Sequence, residues 1–278
     1  ESDPEDEFVK LYEKRMWEKI KDMTLKGRRP GLGVTAEGDM LAAVGLRYGT
    51  KEATDFSEEV HKTLKLSAYK SSAIMAKERG AFPIFDFDKE KNNPFIERIK
   101  QEDFEVWVMM QHYGRRNIAL LTIAPTGTAS LMTQTTSGIE PVFLPVYKRR
   151  RKVNSQEKDA RIDFVDDEGV AWQVYTVFHH KFETWLNVNG YNADVVRSMS
   201  DEQRDEIVKK SPYYKAASND VDWIEKVEMQ GRIQRHVDHS ISVTVNLPKD
   251  VSEETVAKVY ETAWKSGCKG ITIYRDGC

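Results

Sequence analysis

The end of the chain carries the pattern that most restricts its fold: a strand, a helix and a second strand in close succession. From His239 to Leu247, apolar side chains alternate with small polar ones, which is the period of a β-strand with two different faces. Ser252 then stands at the N-cap of a helix that Gly267 closes, and residues 269–274 form a second β-rich run. Two strands joined through a helix over so short a span predict a βαβ unit and therefore an α/β fold.

The size and composition of the chain exclude several classes of protein. Its 278 residues are 40% hydrophobic and 31% charged, with a net charge of −3. This balance supplies a sizeable core and argues against a strongly basic nucleic-acid binder. No apolar run reaches the roughly 18 residues of a membrane span, and the acidic start of the chain is unlike a signal peptide. With two cysteines only, Cys268 and Cys278, we expect a cytoplasmic protein without nucleic acid or membrane as a partner.

Apolar periodicity predicts further elements ahead of the βαβ unit. The helical pattern recurs over 8–27, 35–46, 54–79, 102–112, 178–186 and 221–235, and a capping box opens another helix at Ser200. Residues 81–94 are typical of a loop, and the glycine-rich stretch 28–33 indicates a flexible loop or a hairpin. Residues 117–124 are almost continuously apolar, as expected of a strand buried on both faces of a parallel sheet.

The strongest candidate for a binding site follows this buried strand. It consists of Pro125, Thr126, Gly127, Thr128 and Ala129, and a helix is predicted to begin at Ser130. Backbone N–H groups at a helix start are unpaired and, together with the helix dipole, favour an anion such as phosphate. Gly127 would let such a ligand approach the backbone closely. The alternative is an ordinary strand-to-helix loop capped by Thr128, since the motif is not a P-loop.

Other polar clusters are better explained by structure than by chemistry. The basic run 148–152 is more typical of a solvated strand or loop than of a nucleic-acid contact, because the chain is nearly neutral overall. The histidine pairs lack a third ligand for a metal ion, so we expect no metal site; they are His179 with His180, and His236 with His239. We expect Cys268 to be a small buried hydrophobic residue, too far from Cys278 to form a disulfide.

Five stretches together resemble the large chain of ribonucleotide reductases, most of all the adenosylcobalamin-dependent (class II) type. They occur in the order of the family and cover 27–35, 124–130, 137–141, 240–248 and 267–277. The resemblance implies the C-terminal half of the family's ten-stranded α/β barrel. It treats the chain as one domain, 1–278. Within it, residues 27–147 are a first part with the substrate-phosphate loop, residues 148–219 are a variable insertion, and residues 220–278 are the closing βαβ unit.

The resemblance also implies a function and its limits. Residues Pro125 to Ala129 match the loop that binds the phosphates of the ribonucleotide substrate, which this subtype usually takes as a diphosphate. The family's radical cysteine lies in an Asn-x-Cys-x-Glu loop that this sequence lacks, so no catalytic residue is assigned here. We therefore expect an upstream reductase half, which is either a second chain or the missing part of a longer precursor. The resemblance also implies adenosylcobalamin shared with that half and, as a further option, a homodimer of the assembled enzyme. Whether the polar or the apolar face of strand 238–246 lines the barrel stays open.

Two alternatives follow from the missing cysteines. The chain is either a non-catalytic nucleotide-binding or regulatory protein that retained the fold, or a fragment of a class I large subunit. A class I chain is expected to carry a pair of tyrosines near the last strand, whereas Tyr274 stands alone in this sequence. The retained loop around Gly127 argues for a substrate-binding role.

Overall fold

The computed structural model describes residues 6–154, 157 and 160–277. Helices dominate the first half: α1 (Glu7–Gly27), α2 (Glu37–Ala43), α3 (Lys51–Arg79), α4 (Phe87–Glu90), α5 (Pro94–Glu102), α6 (Phe104–Tyr113) and α7 (Gly127–Thr133). The middle contains β1 (Val146–Lys152), β2 (Phe164–Val165), β3 (Ala171–Phe178), α8 (His180–Val188), α9 (Ala193–Ser198) and α10 (Asp201–Val208). The last part contains α11 (Trp223–Gln234), β4 (Thr244–Leu247), α12 (Glu253–Lys265) and β5 (Thr272–Arg275).

A parallel sheet of four segments lies at the centre of the fold. Leu32 bridges Leu121, Ile123 bridges Ile241, and β4 pairs in register with β5, all in parallel. The order of the segments in space is therefore their order along the chain. The unit β4–α12–β5 is the βαβ unit predicted from the sequence, and Ser252 caps α12 by accepting a hydrogen bond from the N–H of Thr255.

The two faces of this sheet differ in chemistry. Ile241, Val243 and Val245 are buried in cores formed with α3, α11 and α12. Ser240 and Ser242, which point the other way, are exposed. Because the helices of an α/β barrel lie outside it, the small polar face is the one that lines the interior. This answers the question that the sequence left open.

The glycine-rich stretch 28–33 differs from its sequence-based expectation. Instead of a flexible loop or hairpin, it brings Leu32 into the sheet, with backbone hydrogen bonds to Leu120 and Thr122. The expectation is wrong because glycine is needed here for the close approach of two backbone segments. A Cβ atom on Gly33 would lie 2.2 Å from the carbonyl oxygen of Thr122. The strand predicted over 117–124 is present as an extended segment that bridges a neighbour on each side at Leu121 and Ile123.

The region around residue 100 is more helical than the sequence suggests. A single turn, α4, interrupts the predicted loop, and α5 precedes the helix that was predicted over 102–112. Asp103 separates α5 from α6: it ends the first helix and caps the second through the N–H of Val106, at 3.1 Å. One aspartate at a boundary thus separates two helices, of which the sequence predicted only the second.

The middle of the chain forms a separate antiparallel sheet, ordered β1–β3–β2. The basic run 148–152 lies on β1, where Arg149 and Arg150 are exposed and the guanidinium of Arg150 stacks over Trp172. The run therefore forms a solvated strand, as the sequence favours. The helix starting at Ser200 has the predicted capping box, with Gln203 as its second member. Among the described residues, no helix has both the length and the apolar character needed to cross a membrane.

Candidate functional site

The predicted phosphate loop lies at the carboxyl end of a segment of the parallel sheet. Helix α7 begins at Gly127, earlier than the predicted start at Ser130. The N-cap position belongs to Thr126 rather than Thr128, and the side chain of Thr126 makes no cap hydrogen bond. Pro125, Gly127, Thr128 and Ala129 are exposed, whereas Thr126 is half-buried. The first-turn N–H groups of α7 are therefore not satisfied by a side chain at the N-cap.

Thr126 joins three of the five stretches on which the resemblance rests. Its backbone has a positive φ of 52°, which turns the chain sharply from the strand segment into α7. Its hydroxyl accepts a hydrogen bond from the N–H of Gly138 at 2.8 Å and donates to the hydroxyl of Thr35 at 3.3 Å. The hydroxyl of Thr35 donates in turn to the carbonyl of Thr136. The loop is thus held by neighbours distant in sequence, which leaves Gly127 to Ala129 accessible.

A cleft of about 280 Å³ begins beside this loop, at Ser130. None of Pro125 to Ala129 lines the cleft itself. Most of the side chains that line it carry a hydroxyl, amide or ionisable group, among them Ser130, Thr136, Ser137, Glu140, His179, Thr244 and Asn246. Thr244 and Asn246 belong to the polar face of β4, so the cleft opens on the interior side of the sheet.

Glu140 lines this cleft and forms an ion pair with Lys226, which lies outside the lining. One carboxylate oxygen of Glu140 accepts from the N–H of Thr244 at 2.8 Å, and the other lies 2.5 Å from Nζ of Lys226. Nζ also donates to the carbonyl of Thr244 at 2.6 Å, and only 3% of the Lys226 side chain is exposed. The pair therefore compensates its own charge while it fixes β4 against the stretch 137–141.

Asp39, His179 and Tyr213 form a second polar cluster beside the cleft. One oxygen of the Asp39 carboxylate lies 2.8 Å from Nε2 of His179 and accepts from the hydroxyl of Tyr213 at 2.9 Å. The other accepts from the N–H of Thr136 at 2.8 Å. Burial and then the Asp39 charge raise the pKa of Tyr213 far above its ordinary value, so this hydroxyl stays protonated.

Sequence reasoning missed this cluster. It treated His179 as structural and did not single out Asp39 or Tyr213. The three residues lie far apart along the chain, with 140 positions between Asp39 and His179 and 174 between Asp39 and Tyr213. No local spacing could have indicated the contact.

Cys268, the described cysteine, does not have the properties of a reactive thiol. Its Sγ lies 3.8 Å from the carbonyl oxygen of Val227 and packs against the core beneath β4. Burial raises the pKa of this thiol to about 11, so it is almost entirely protonated at neutral pH. Cys268 is partly buried, which agrees with its expected role as a small buried group. Cys278 lies outside the described residues, so the expectation about a disulfide between the two stays a prediction. No cluster of three potential metal ligands occurs within 6–154, 157 and 160–277.

Comparisons with known proteins agree with the geometry. A vitamin B12-dependent ribonucleoside-diphosphate reductase of Thermoplasma acidophilum is 31% identical over 265 residues, which are 93% of this chain and 30% of that protein. The protein of the same name from Mycobacterium tuberculosis is 31% identical over 259 residues, covering 90% of this chain and 31% of its own length. The chain thus spans less than a third of these curated relatives.

The fold is similar to that of a solved reductase. The alpha subunit of the class Id ribonucleotide reductase of Actinobacillus ureae superimposes with a TM-score of 0.61 at 16% identity, over 92% of this chain and 41% of that one. The sequence model described as "Ribonucleotide reductase, barrel domain" matches residues 6–274. The resemblance seen in the five stretches is thereby confirmed, with the predicted α/β partial barrel, and this chain belongs to the barrel-domain family of ribonucleotide reductases.

Proposed function

We propose that this chain is the C-terminal component of a ribonucleotide reductase, in which residues Pro125 to Ala129 hold the diphosphate of a ribonucleotide substrate. The observation that carries this proposal is the exposed start of α7, without a side-chain cap, beside a hydroxyl-lined cleft at the carboxyl ends of parallel segments. Ligands of open and closed α/β sheets bind at this end of the strands. The names of the relatives support a diphosphate as the substrate.

The radical chemistry belongs, in this proposal, to another part of the assembled enzyme. Cys268 lies against Val227 with a raised pKa and does not line the cleft, so it is unsuited to the redox step. The relatives are about three times longer than the matched region, which leaves room for a half that carries the catalytic cysteines. That half is the partner we propose, with a homodimer of the whole as a further option.

Cobalamin enters the proposal through the names of the relatives. It would supply the radical that starts the reaction. The buried polar atoms without a hydrogen-bond partner belong to residues such as Glu37, His61 and His236, and none of these lines the cleft. The described residues therefore do not by themselves form a site that fits cobalamin. We assign none of them to it and propose that its contacts lie on the upstream half.

Nucleotide binding tests the role of the loop. A Cβ atom on Gly127 would meet no heavy atom within 4 Å, so we expect Gly127→Val to fold while its side chain blocks the approach of a phosphate to the backbone. Gly270→Val is the matched control, since Gly270 is also exposed and also faces open space. By calorimetry we expect ADP binding to be lost in Gly127→Val and retained in Gly270→Val. Equal binding by both variants would refute the loop assignment.

Turnover tests the role of the whole chain. The chain is combined with a reductase part that contains Asn-x-Cys-x-Glu, with adenosylcobalamin and a dithiol, and the formation of deoxynucleotide is followed. We expect product only when both parts are present. An assembled pair that binds ADP but forms no deoxynucleotide would favour the alternative of a nucleotide-binding protein without catalysis.

A further inference from the structure

We propose that the apolar face of α1 is a surface on which the upstream reductase half docks, and that the same half covers the outer side of α12 at the opposite edge of the sheet. This inference rests on the proposed function, because the partner is the one proposed there. Its support is the exposure of apolar side chains on the helices at the two ends of the sheet, together with the unpaired sheet edges beside them.

Helix α1 carries an apolar face that the described part of the chain leaves uncovered. The members of this α1 face lie on one side of the helix and are between 43% and 63% exposed: Phe8, Val9, Tyr12, Met16, Ile20 and Met23. Of the residues of α1, only Gly27 at its end is buried. Since helices in proteins gain most of their stability from the packing of an apolar face, a helix of 21 residues with this pattern requires a partner.

The end of the α1 face lies against the parallel sheet. Ile20 and Met23 line a groove of about 450 Å³, and Ile84 and Ile118 belong to the same lining. Ile118 is part of the sheet segment 117–124. The chain then runs from α1 directly into the segment around Leu32, which is the first segment of the sheet and lies at its edge. The α1 face is therefore continuous with this edge and is not a separate patch.

The sheet edge beside α1 has free backbone groups. Leu32 uses both its N–H and its carbonyl on the neighbouring segment, in bonds to Leu120 and Thr122. The backbone groups of successive strand residues point to opposite sides, so those of Gly31 and Gly33 point to the edge. Within 6–154, 157 and 160–277 these two glycines make no backbone hydrogen bond. An edge of this kind is a template for a further strand.

The unit β4–α12–β5 contains the same arrangement with its strand in place. Helix α12 joins two adjacent parallel strands and buries Val259 and Ala263 beneath it. Val245 of β4 and Ile273 of β5 belong to the same core. Helix α1 precedes the edge segment at Leu32 as α12 precedes β5, but the described residues contain no strand on the far side of that segment. A parallel strand added there by the partner would lie beneath α1, as β4 lies beneath α12.

The opposite edge of the sheet has similar features. Within the described chain, β5 pairs with β4 and with no other strand. On α12, Tyr260 and Trp264 lie one turn apart, and Trp264 is 76% exposed. By contrast, α11 packs between α3 and α12 and has Met229 and Ile233 buried. Aromatic side chains are thus uncovered at both ends of the sheet, while the helix in the middle buries its apolar side.

A single partner that completes the barrel accounts for both ends. Only full closure removes the edges of a sheet, so the elements that complete this one must reach both of them. More than two thirds of each of the two relatives lies outside the matched region, which is enough chain to supply such elements. A second copy of this chain is the competing occupant, and the experiment separates the two.

The experiment measures the binding of the upstream half to variants at each surface. The probe is the reductase part with Asn-x-Cys-x-Glu that is used to test turnover, and its Kd for the full chain is measured by calorimetry. Met16→Glu places a charge in the middle of the α1 face. Leu11→Glu is the matched control, because Leu11 is 44% exposed against 47% for Met16 and lies about 140° away around the helix. Trp264→Ala removes the exposed aromatic group of α12.

We expect Met16→Glu to weaken binding of the probe roughly thirtyfold, because the charge would be buried in an apolar contact, and Trp264→Ala roughly tenfold. Leu11→Glu should stay within about twofold of the wild type. ADP binding should be unchanged in all three variants, since none of the three positions lines the cleft. A wild-type chain that does not bind the probe, or a loss of affinity at only one of the two surfaces, would overturn the inference. Retained ADP binding would leave the loop proposal in place.

Two measurements on the unchanged protein guard against a folding defect in the variants. In sedimentation we expect the chain alone to be a monomer and to form a one-to-one complex with the probe. A dimer of the chain that Met16→Glu dissociates would assign the α1 face to a second copy and contradict the inference. Hydrogen exchange of the amides of 8–23 should slow about tenfold or more in the complex. Exchange in α1 that does not respond to the bound probe also contradicts the inference, whatever the variants do.

Discussion

Glu140 and Lys226 are paired at 2.5 Å, and together they hold both the N–H and the carbonyl of Thr244. The two residues lie 86 positions apart, one just after α7 and the other on α11. Their contact fastens the loop region of the site to the strand β4. The pair is therefore a structural clamp, of which Glu140 also lines the cleft.

Removal of the carboxylate from this clamp should lower the stability of the fold. Glu140→Ala leaves the ammonium of Lys226 buried without its counter-charge, and we expect a loss of about 3 kcal/mol in the free energy of unfolding. The double variant Glu140→Gln with Lys226→Met removes both charges and should recover a large part of that loss. Urea denaturation followed by circular dichroism measures both. A single variant as stable as the wild type would show that the ammonium escapes to solvent.

Replacement by alanine should lower the stability of the protein at one glycine of the site region and leave it almost unchanged at another. In Gly33→Ala the new methyl group would lie 2.2 Å from the carbonyl oxygen of Thr122, whereas in Gly127→Ala it meets open space. We expect Gly33→Ala to lose roughly 2 kcal/mol of stability through overpacking, and Gly127→Ala to stay within about 0.5 kcal/mol of the wild type. Thermal unfolding of the two variants side by side gives the answer; equal melting temperatures would speak against the close approach of the two segments.

Stability should fall in mild acid because of His236. Burial, followed by the charge of Lys65, lowers the pKa of this buried imidazole to about 4. Between that value and the unfolded value of about 6.5, the unfolded chain binds a proton that the folded chain does not. Stability is thus fully present above about pH 6.5 and is lost as the pH falls towards 4, by on the order of 2 kcal/mol.

The test of this pH dependence is a pair of histidine variants. The slope of unfolding free energy against pH should flatten in His236→Gln, which has no imidazole to protonate. It should persist in His112→Gln, which replaces an exposed imidazole. The same slope in both variants would assign the acid sensitivity to the carboxylates instead.

The thiol of Cys268 should react slowly. With a pKa of about 11, its thiolate fraction at pH 8 is roughly a hundredfold below that of an ordinary thiol. We expect iodoacetamide to modify the Cys268 peptide slowly in the folded chain and rapidly in urea, as followed by mass spectrometry. Rapid modification of the folded chain would reopen a redox role for this residue.

Much of the fold was predictable where the determining interactions are local. The capping box at Ser200, the cap at Ser252 and the alternation along β4 each follow from residues a few positions apart, and each is present in the structure. Helix α5 was the exception: the sequence predicted a helix only over 102–112, and the boundary between α5 and α6 is set by the single capping side chain of Asp103.

The candidate site was predictable only in part, for a related physical reason. The loop at Gly127 has a local signature, whereas its supports are contacts between distant segments, such as Thr126 with Thr35 and Asp39 with His179. The extended conformation of residues 31–33 could not be predicted either, because glycine has no preference for strands. Only the close approach of Thr122, which is distant in sequence, explains why glycine occupies position 33.

The order of the segments in the parallel sheet also has a consequence for the rate at which the chain folds. The pairing of β4 with β5 closes a short loop through α12, so it can form early. The contact of Thr122 with Ser240 joins positions 118 residues apart and has to wait for a much longer search. We therefore expect the βαβ unit to gain hydrogen-exchange protection first. The site itself, which depends on the distant contacts, is among the last parts of the molecule to become ordered.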